Sequence, residues 1–199
     1  MTPTWHLAKS PSAAICRHMA LPVFGKAHEA TASSDFVWFV YGSSLDRPAF
    51  EAWAADHGYA LPDLSRASPA RLPGYRLSFD VLSRHWGGAV ASLAEAPGDW
   101  VEGLAIPMSG AARGLVQHKE GAVSGLFAPL TVAVRDGAGN ELPALAYRAA
   151  PDRRLPAEAP PSKAYLEVLR RGARASGLSA EWLERLDRIA GQPRRADAS

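Results

Sequence analysis

The sequence predicts an α+β fold with a mostly antiparallel sheet able to close into a barrel. Strand-like segments, rich in branched and aromatic residues, dominate the middle of the chain. Helices gather at three places, near 46–58, at 111–118, and as a pair after the Pro-rich stretch 151–161. A hairpin-turn composition, Asp136-Gly137-Ala138-Gly139-Asn140, separates two of the strand segments. Together these give strands closed on themselves with helices set to the side.

Taken in order, residues 1–35 lack a period: Pro3, Pro11 and Pro22 break any regular element, and 30–34 reads as linker. This N-terminal extension is expected to be poorly patterned, with the folded domain spanning 36–190 and a frayed tail at 191–199. Order begins at Phe36. The apolar run 36–41 (FVWFVY) is too short for a helix and reads as a buried strand. Gly42-Ser43-Ser44 turns the chain. Asp46 then caps a helix with Pro48 in its first turn and Phe50, Trp53 and Ala54 on one face, ending near His57-Gly58. Strands are expected over 71–82, 89–95 and 100–107, a short helix over 111–118 with Ser109 as its cap, and strands over 122–135 and 142–148. Two helices close the domain. One runs over 162–176 with Tyr165, Leu166, Val168 and Leu169 at helical spacing and Gly177 after its end. The second carries Trp182, Leu183, Leu186 and Ile189.

Composition narrows the function. The 199 residues carry 22 Lys and Arg against 20 Asp and Glu, a net charge of +2 without the basic stripe that nucleic acid needs. Cys16 is the only cysteine, so no internal disulfide framework exists and a reducing, cytoplasmic compartment is expected. No segment has the roughly 18 apolar residues of a membrane span, and 12–24 is interrupted by Arg17, His18 and Pro22. The six histidines show no metal-ligand spacing, and neither a phosphate-binding Gly loop nor a nucleophile elbow is present. No metal and no cofactor is expected.

Two features remain. In Tyr41-Gly42-Ser43-Ser44-Leu45 a buried strand ends in a Gly, two hydroxyl residues and a helix start. Gly42 tolerates φ > 0, which would let successive N–H groups converge on an anion or carbonyl. A plain capped turn accounts for this composition equally simply. Glu120 sits where the short helix ends, before an apolar strand. There it is either a solvated surface carboxylate beside Lys119 or a cavity-facing acid–base group. Tyr147, in the strand 142–148, is by default a core tyrosine.

At these residues the sequence resembles the gamma-glutamylcyclotransferases. That family opens its domain with a strand and a Tyr-Gly-Ser-Asn-Leu loop, here Tyr41-Gly42-Ser43-Ser44-Leu45, with Ser44 where the family usually has Asn. Its acid–base Glu stands immediately before a Gly, as Glu120-Gly121 does. The blocks 70–77, 100–104, 146–148, 161–165 and 172–178 follow in the family's order. The resemblance covers about 36–190. It implies a mostly antiparallel mixed β-barrel flanked by short helices, and cleavage of a gamma-glutamyl amide by its own α-amine, releasing 5-oxoproline and an amine or amino acid. Glu120 is implied as acid–base group, with Tyr41, Gly42, Ser43, Ser44, Leu45 and Tyr147 as substrate-binding residues, Tyr147 orienting Glu120 or contacting substrate. The partner expected is a small gamma-glutamyl molecule, with neither nucleic acid nor membrane, for a monomer or homodimer. Two alternatives stay open: a non-catalytic module that binds such molecules, and a cyclotransferase for gamma-glutamylated amines. The leaving-group pocket is not legible beyond Trp86 and Phe127, both of which read equally as core.

Overall fold

The computed structural model describes residues 34–191. The expectations for most of the N-terminal extension, for Cys16 and for nearly all of the C-terminal tail lie outside those residues.

Strand β1, Phe36–Val40, leads through a 3-10 turn, Ser43–Leu45, into helix α1, Arg47–Asp56. The Asp46 carboxylate accepts from the Ala49 N–H at 3.4 Å, and Pro48 stands in the first turn, so the helix start follows from its local sequence. Phe50 and Ala54 bury the inner face, and Gly58 ends the helix at φ +70°. Strands β2, Ser68–Ser83, and β3, Gly88–Met108, form one long hairpin. A 3-10 turn, Gly110–Ala112, then precedes helix α2, Arg113–Lys119. Strands β4, Phe127–Asp136, and β5, Glu141–Ala149, form the second hairpin across the predicted turn. Helices α3, Lys163–Ala175, and α4, Ala180–Gly191, complete the described chain. Ser162 caps α3 by accepting from the Tyr165 N–H at 3.2 Å, and Gly177 follows its end at φ +67°.

The strands close into a barrel in the order β1-β3-β2-β4-β5. Every pairing is antiparallel except β1 with β5, which is parallel and aligned through Trp38 and Leu145. This is the mostly antiparallel mixed barrel that was expected. Its core joins Trp38, Phe39 and Val40 of β1 to Leu72, Val101, Val134 and Ala146, and to Leu169 and Leu186 of the C-terminal helices.

Two expectations are corrected. The strands over 89–95 and 100–107 are a single strand. Pro97, Gly98 and Asp99 read as a break, but the hairpin absorbs them as an irregularity between the pairs Pro73↔Trp100 and Tyr75↔Glu95. Gly74 at φ +78° and Gly98 at φ +86° supply the bend on both strands. The strand over 122–135 begins only at Phe127. Residues 122–126 are turns held by Ala122 N–H to Gln117 O at 2.9 Å and Leu126 N–H to Gly121 O at 3.1 Å. Their apolar spacing imitates a strand, yet Val123 is 73% exposed.

Candidate functional site

The loop after β1 and the end of α2 meet over one small cavity, of about 140 Å3. Tyr41, Gly42 and Ser43 line it from the loop and Lys119, Glu120 and Gly121 from the helix end, with Trp86, Phe127 and Tyr165 among the rest of the wall. Local sequence explains how Glu120 arrives there. It is the C-terminal cap of α2, its N–H donating to Val116 O at 2.9 Å. Gly121 then takes φ +72°, the left-handed turn that ends a helix and that a side chain would strain. The Glu-Gly pair thus turns the chain at the point where the carboxylate enters the cavity.

The surroundings of Glu120 set its acidity. Though the residue keeps access to the cavity, the carboxylate is surrounded by protein, and burial pushes its pKa up from the ordinary 4.5 to about 7. The Lys119 ammonium pulls it down, as does the Ser44 hydroxyl, which donates to Oε1 at 3.2 Å. A carboxyl poised near neutrality can both take and return a proton.

The loop is fixed from below and behind. The Tyr41 hydroxyl donates to the Tyr147 carbonyl, tying the start of the loop to β5. Burial, with Glu120 as the next contribution, drives the Tyr41 phenol well above its ordinary pKa. Leu45 is buried in the core, and its backbone and Cβ lie against Gly172 of α3. Asp46 is 2% exposed and held by Arg171 of the same helix through an Nε bond of 2.7 Å. Within the loop, Leu45 N–H donates to Gly42 O and Asp46 N–H to Ser43 O. The N–H groups of Ser43 and Ser44 have no acceptor among the described residues and remain available.

Of the predicted residues, the structure gathers Tyr41, Gly42, Ser43 and Glu120 along the cavity, and Ser44 reaches it through its bond to Glu120. Leu45 does not line the cavity; it packs into the core. Tyr147 is 1% exposed and does not line it either. Its phenol is nonetheless within electrostatic reach of Glu120, which raises its pKa after burial has done so. The expected φ > 0 at Gly42 is corrected: it is extended, at φ −105° and ψ −151°. A Cβ added there would meet the Tyr165 hydroxyl at 3.6 Å, an ordinary van der Waals contact.

Sequence reasoning missed Tyr165 and Lys119. Tyr165 accepts from the Ala91 N–H at 3.0 Å and packs edge-on against Trp86, with ring centroids 5.4 Å apart. Its sequence signal was a polar-tipped ring on an otherwise aliphatic stripe. Lys119 lies with its ammonium 4.9 Å from the centre of the Trp53 ring. Trp53 in turn stacks with His57 and meets His118 edge-on. Trp86 and Phe127 do line the cavity. A larger cavity, about 770 Å3, includes Asp35, Asp63 and Arg113 in its walls and holds none of the predicted site residues. The smaller one contains Glu120 with its raised pKa, and chemistry rather than volume selects it as the candidate. Among the described residues no group of three or more His, Cys, Asp or Glu could hold a metal, and no helix is long and apolar enough to cross a membrane.

Comparison with known proteins bears on the fold and the sequence. Residues 100–186 match the model of the AIG2-like family. The chain is 29% identical over 158 residues to the gamma-glutamylcyclotransferase of Bos taurus, a match covering 77% of this chain and 78% of that one. With the gamma-glutamylcyclotransferase of Mus musculus it shares 27% identity over 168 residues, 82% and 84% of the two chains. A solved structure named gamma-glutamyl cyclotransferase superposes with a TM-score of 0.65 at 24% identity, covering 83% of this chain and 94% of that one, which shows the shared fold. In fold the protein is one of these closed mixed barrels. The chain is thus similar to gamma-glutamylcyclotransferases over about four fifths of its length, the family that its Tyr41–Leu45 loop and Glu120-Gly121 pair resemble.

Proposed function

We propose that residues 36–190 carry a cyclotransferase that cleaves a gamma-glutamyl amide, with Glu120 as its acid–base group. The observation that carries this reading is the meeting of a carboxyl of pKa about 7 with the Tyr41–Ser43 loop in one cavity. The names of the relatives support the substrate class.

The substrate's α-amine attacks its own γ-carbonyl carbon. A new C–N bond closes the five-membered ring, and the amide C–N bond to the leaving group breaks. Two protons leave the α-ammonium and two reach the leaving nitrogen, so 5-oxoproline and an ammonium are released with no net acid or base consumed. Glu120 carries these protons in turn. The Ser43 and Ser44 N–H groups hold the negative end of the glutamyl part and the charge that develops on its carbonyl. The enzyme needs no nucleophile of its own. Its contribution is to hold the substrate folded, and orientation of this kind is worth on the order of 7–11 kcal/mol in favourable cases. Ser44 steadies Glu120 through its hydrogen bond. The single cysteine in the sequence supports a cytoplasmic site of action.

The test is Glu120→Gln, nearly the same in shape and unable to carry a proton. 5-Oxoproline release from a gamma-glutamyl amide should fall by about 10²–10⁴-fold while the circular dichroism spectrum is kept. Release at near the wild-type rate would remove Glu120 from its assigned role.

A further inference from the structure

Where the ends of α1 and α2 meet, the surface carries a second cluster whose chemistry cleavage does not use. His57 caps the end of α1, and His118 stands in the last turn of α2. They are far apart in sequence, yet folding brings their rings to 5.2 Å between centroids, nearly perpendicular at 84°. Both side chains are exposed, and neither forms an ion pair among the described residues.

Each ring is held through its Nδ1 atom. His57 Nδ1 lies 2.8 Å from the Trp53 carbonyl, which can only accept, so this nitrogen carries the proton and Nε2 keeps its lone pair in the neutral ring. His118 Nδ1 lies 3.1 Å from the Tyr59 hydroxyl. A hydroxyl accepts as readily as it donates, so the same tautomer is open to His118. Trp53 braces the pair. Its indole stacks on His57 with centroids 4.4 Å apart and meets His118 edge-on at 5.2 Å.

An imidazole whose Nδ1–H is tied to an oxygen, leaving Nε2 for coordination, is the form in which proteins present histidine to a metal. The spacing agrees with such a use. Two imidazoles bound at about 2.0–2.1 Å to one tetrahedral cation have ring centroids about 5.2 Å apart. His57 and His118 already stand at that separation. Ring packing alone explains the contacts with Trp53, but it does not explain two basic nitrogen heterocycles side by side, where protonation of both would set like charges against each other.

We propose that His57 and His118 form a surface site for one borderline divalent cation, Zn²⁺ or Cu²⁺, with water completing its coordination. Imidazole suits these ions, whereas Mg²⁺ and Ca²⁺ require oxygen ligands that this pair does not offer. Two protein ligands are fewer than the three or four of catalytic and structural zinc sites, so the cation binds reversibly. Neither histidine lines the Glu120 cavity, and the proposal stands independently of the cyclotransferase reading.

The experiment is calorimetric titration of the full chain with ZnCl2, CuCl2 and MgCl2, in a Cys16→Ser background that removes the one competing thiol. Zn²⁺ and Cu²⁺ should bind and Mg²⁺ should not. His57→Ala and His118→Ala, both at exposed positions, should each weaken that binding at least about 10-fold with the circular dichroism spectrum kept. Tyr59→Phe removes the oxygen behind His118 Nδ1 and should weaken it about 10-fold. The electron paramagnetic resonance spectrum of the Cu²⁺ complex should show coupling to two nitrogens, and to one in either histidine variant. Affinity and spectrum unchanged in both histidine variants would place the cation on other ligands, such as His6, His18 or His28, and overturn the proposal. So would a parent chain that binds neither Zn²⁺ nor Cu²⁺, or that binds Mg²⁺ as tightly as Zn²⁺.

Discussion

Replacing Gly172 by Ala tests whether the α3 helix sets the position of the loop after β1. Gly172 is a buried helical residue, and a Cβ added there would stand 2.5 Å from Asp46 N, 2.6 Å from Leu45 C and 2.8 Å from Leu45 Cβ. Ordinary contacts between carbons are about 3.5–4.0 Å, so helix and loop must separate by roughly 1 Å. Two effects oppose one another. Ala is favoured over Gly in a helix interior by about 1 kcal/mol. Overpacking against another segment costs about 1–3 kcal/mol, toward the upper end here because two of the three atoms are backbone and cannot rotate away. The net expectation is a loss of about 1–2 kcal/mol, read as a fall in Tm of about 2–8 °C for a chain of this length. The same displacement moves the Ser44 hydroxyl from its 3.2 Å contact with Glu120. A misplacement of that size costs on the order of 10²-fold in rate, so kcat/KM for 5-oxoproline release should fall well beyond what the stability loss explains. Thermal unfolding and the release assay on one purified variant decide it. If Gly172→Ala is as stable as the wild type, or gains the 1 kcal/mol that an exposed helix would show, the close contact between α3 and the loop does not govern the site.

Three further outcomes are expected. Because the folded pKa of Glu120, about 7, lies above the ordinary 4.5, folding favours its protonated form. That contribution is complete below about pH 4.5 and is lost as pH rises through about 7. Glu120→Gln, neutral throughout, should therefore gain in Tm relative to the wild type between pH 5 and pH 8, and a constant difference would contradict the burial argument. Ser44→Ala removes a donor that favours the ionised carboxylate, so the rising limb of the kcat/KM–pH profile should move to higher pH. A limb that stays in place would mean that the bond does not persist in solution. Tyr165→Phe leaves the buried Ala91 N–H without its acceptor and should cost about 1–3 kcal/mol in urea unfolding, whereas an unchanged midpoint would imply that water takes over that bond.

What the residues alone could reveal follows from the range over which each signal acts. The first strand and α1 were legible because their determinants are local: an apolar run, an Asp cap and a Pro in the first turn all lie within a few residues. The stripe of Trp182, Leu183 and Leu186 marked α4 for the same reason. The continuity of β3 was not legible, since Pro97 and Gly98 break a strand in isolation and only the matching bend at Gly74 on β2 carries it through. Glu120 could be picked out by the resemblance of Glu120-Gly121 to a family pattern, but its acidity comes from packing that no local pattern encodes. Leu45 shows the converse. It belongs to the motif, yet its side chain anchors the loop in the core and the cavity is lined by its neighbours. Lys119 and Tyr165 reach the cavity from a helix end and from a distant helix, and only closure of the barrel brings them to the same place.

That closure is uneven. The parallel seam between β1 and β5 is aligned through one pair, Trp38 and Leu145, whereas β1 is laced to β3 along all of its five residues. The seam is thus a latch and the β1–β3 ladder a hinge-side weld. The loop that starts at Tyr41 is thus held mainly through the β1–β3 ladder. The Tyr41 hydroxyl, bonded across to the Tyr147 carbonyl, adds a second fastening to the thin side of the cylinder.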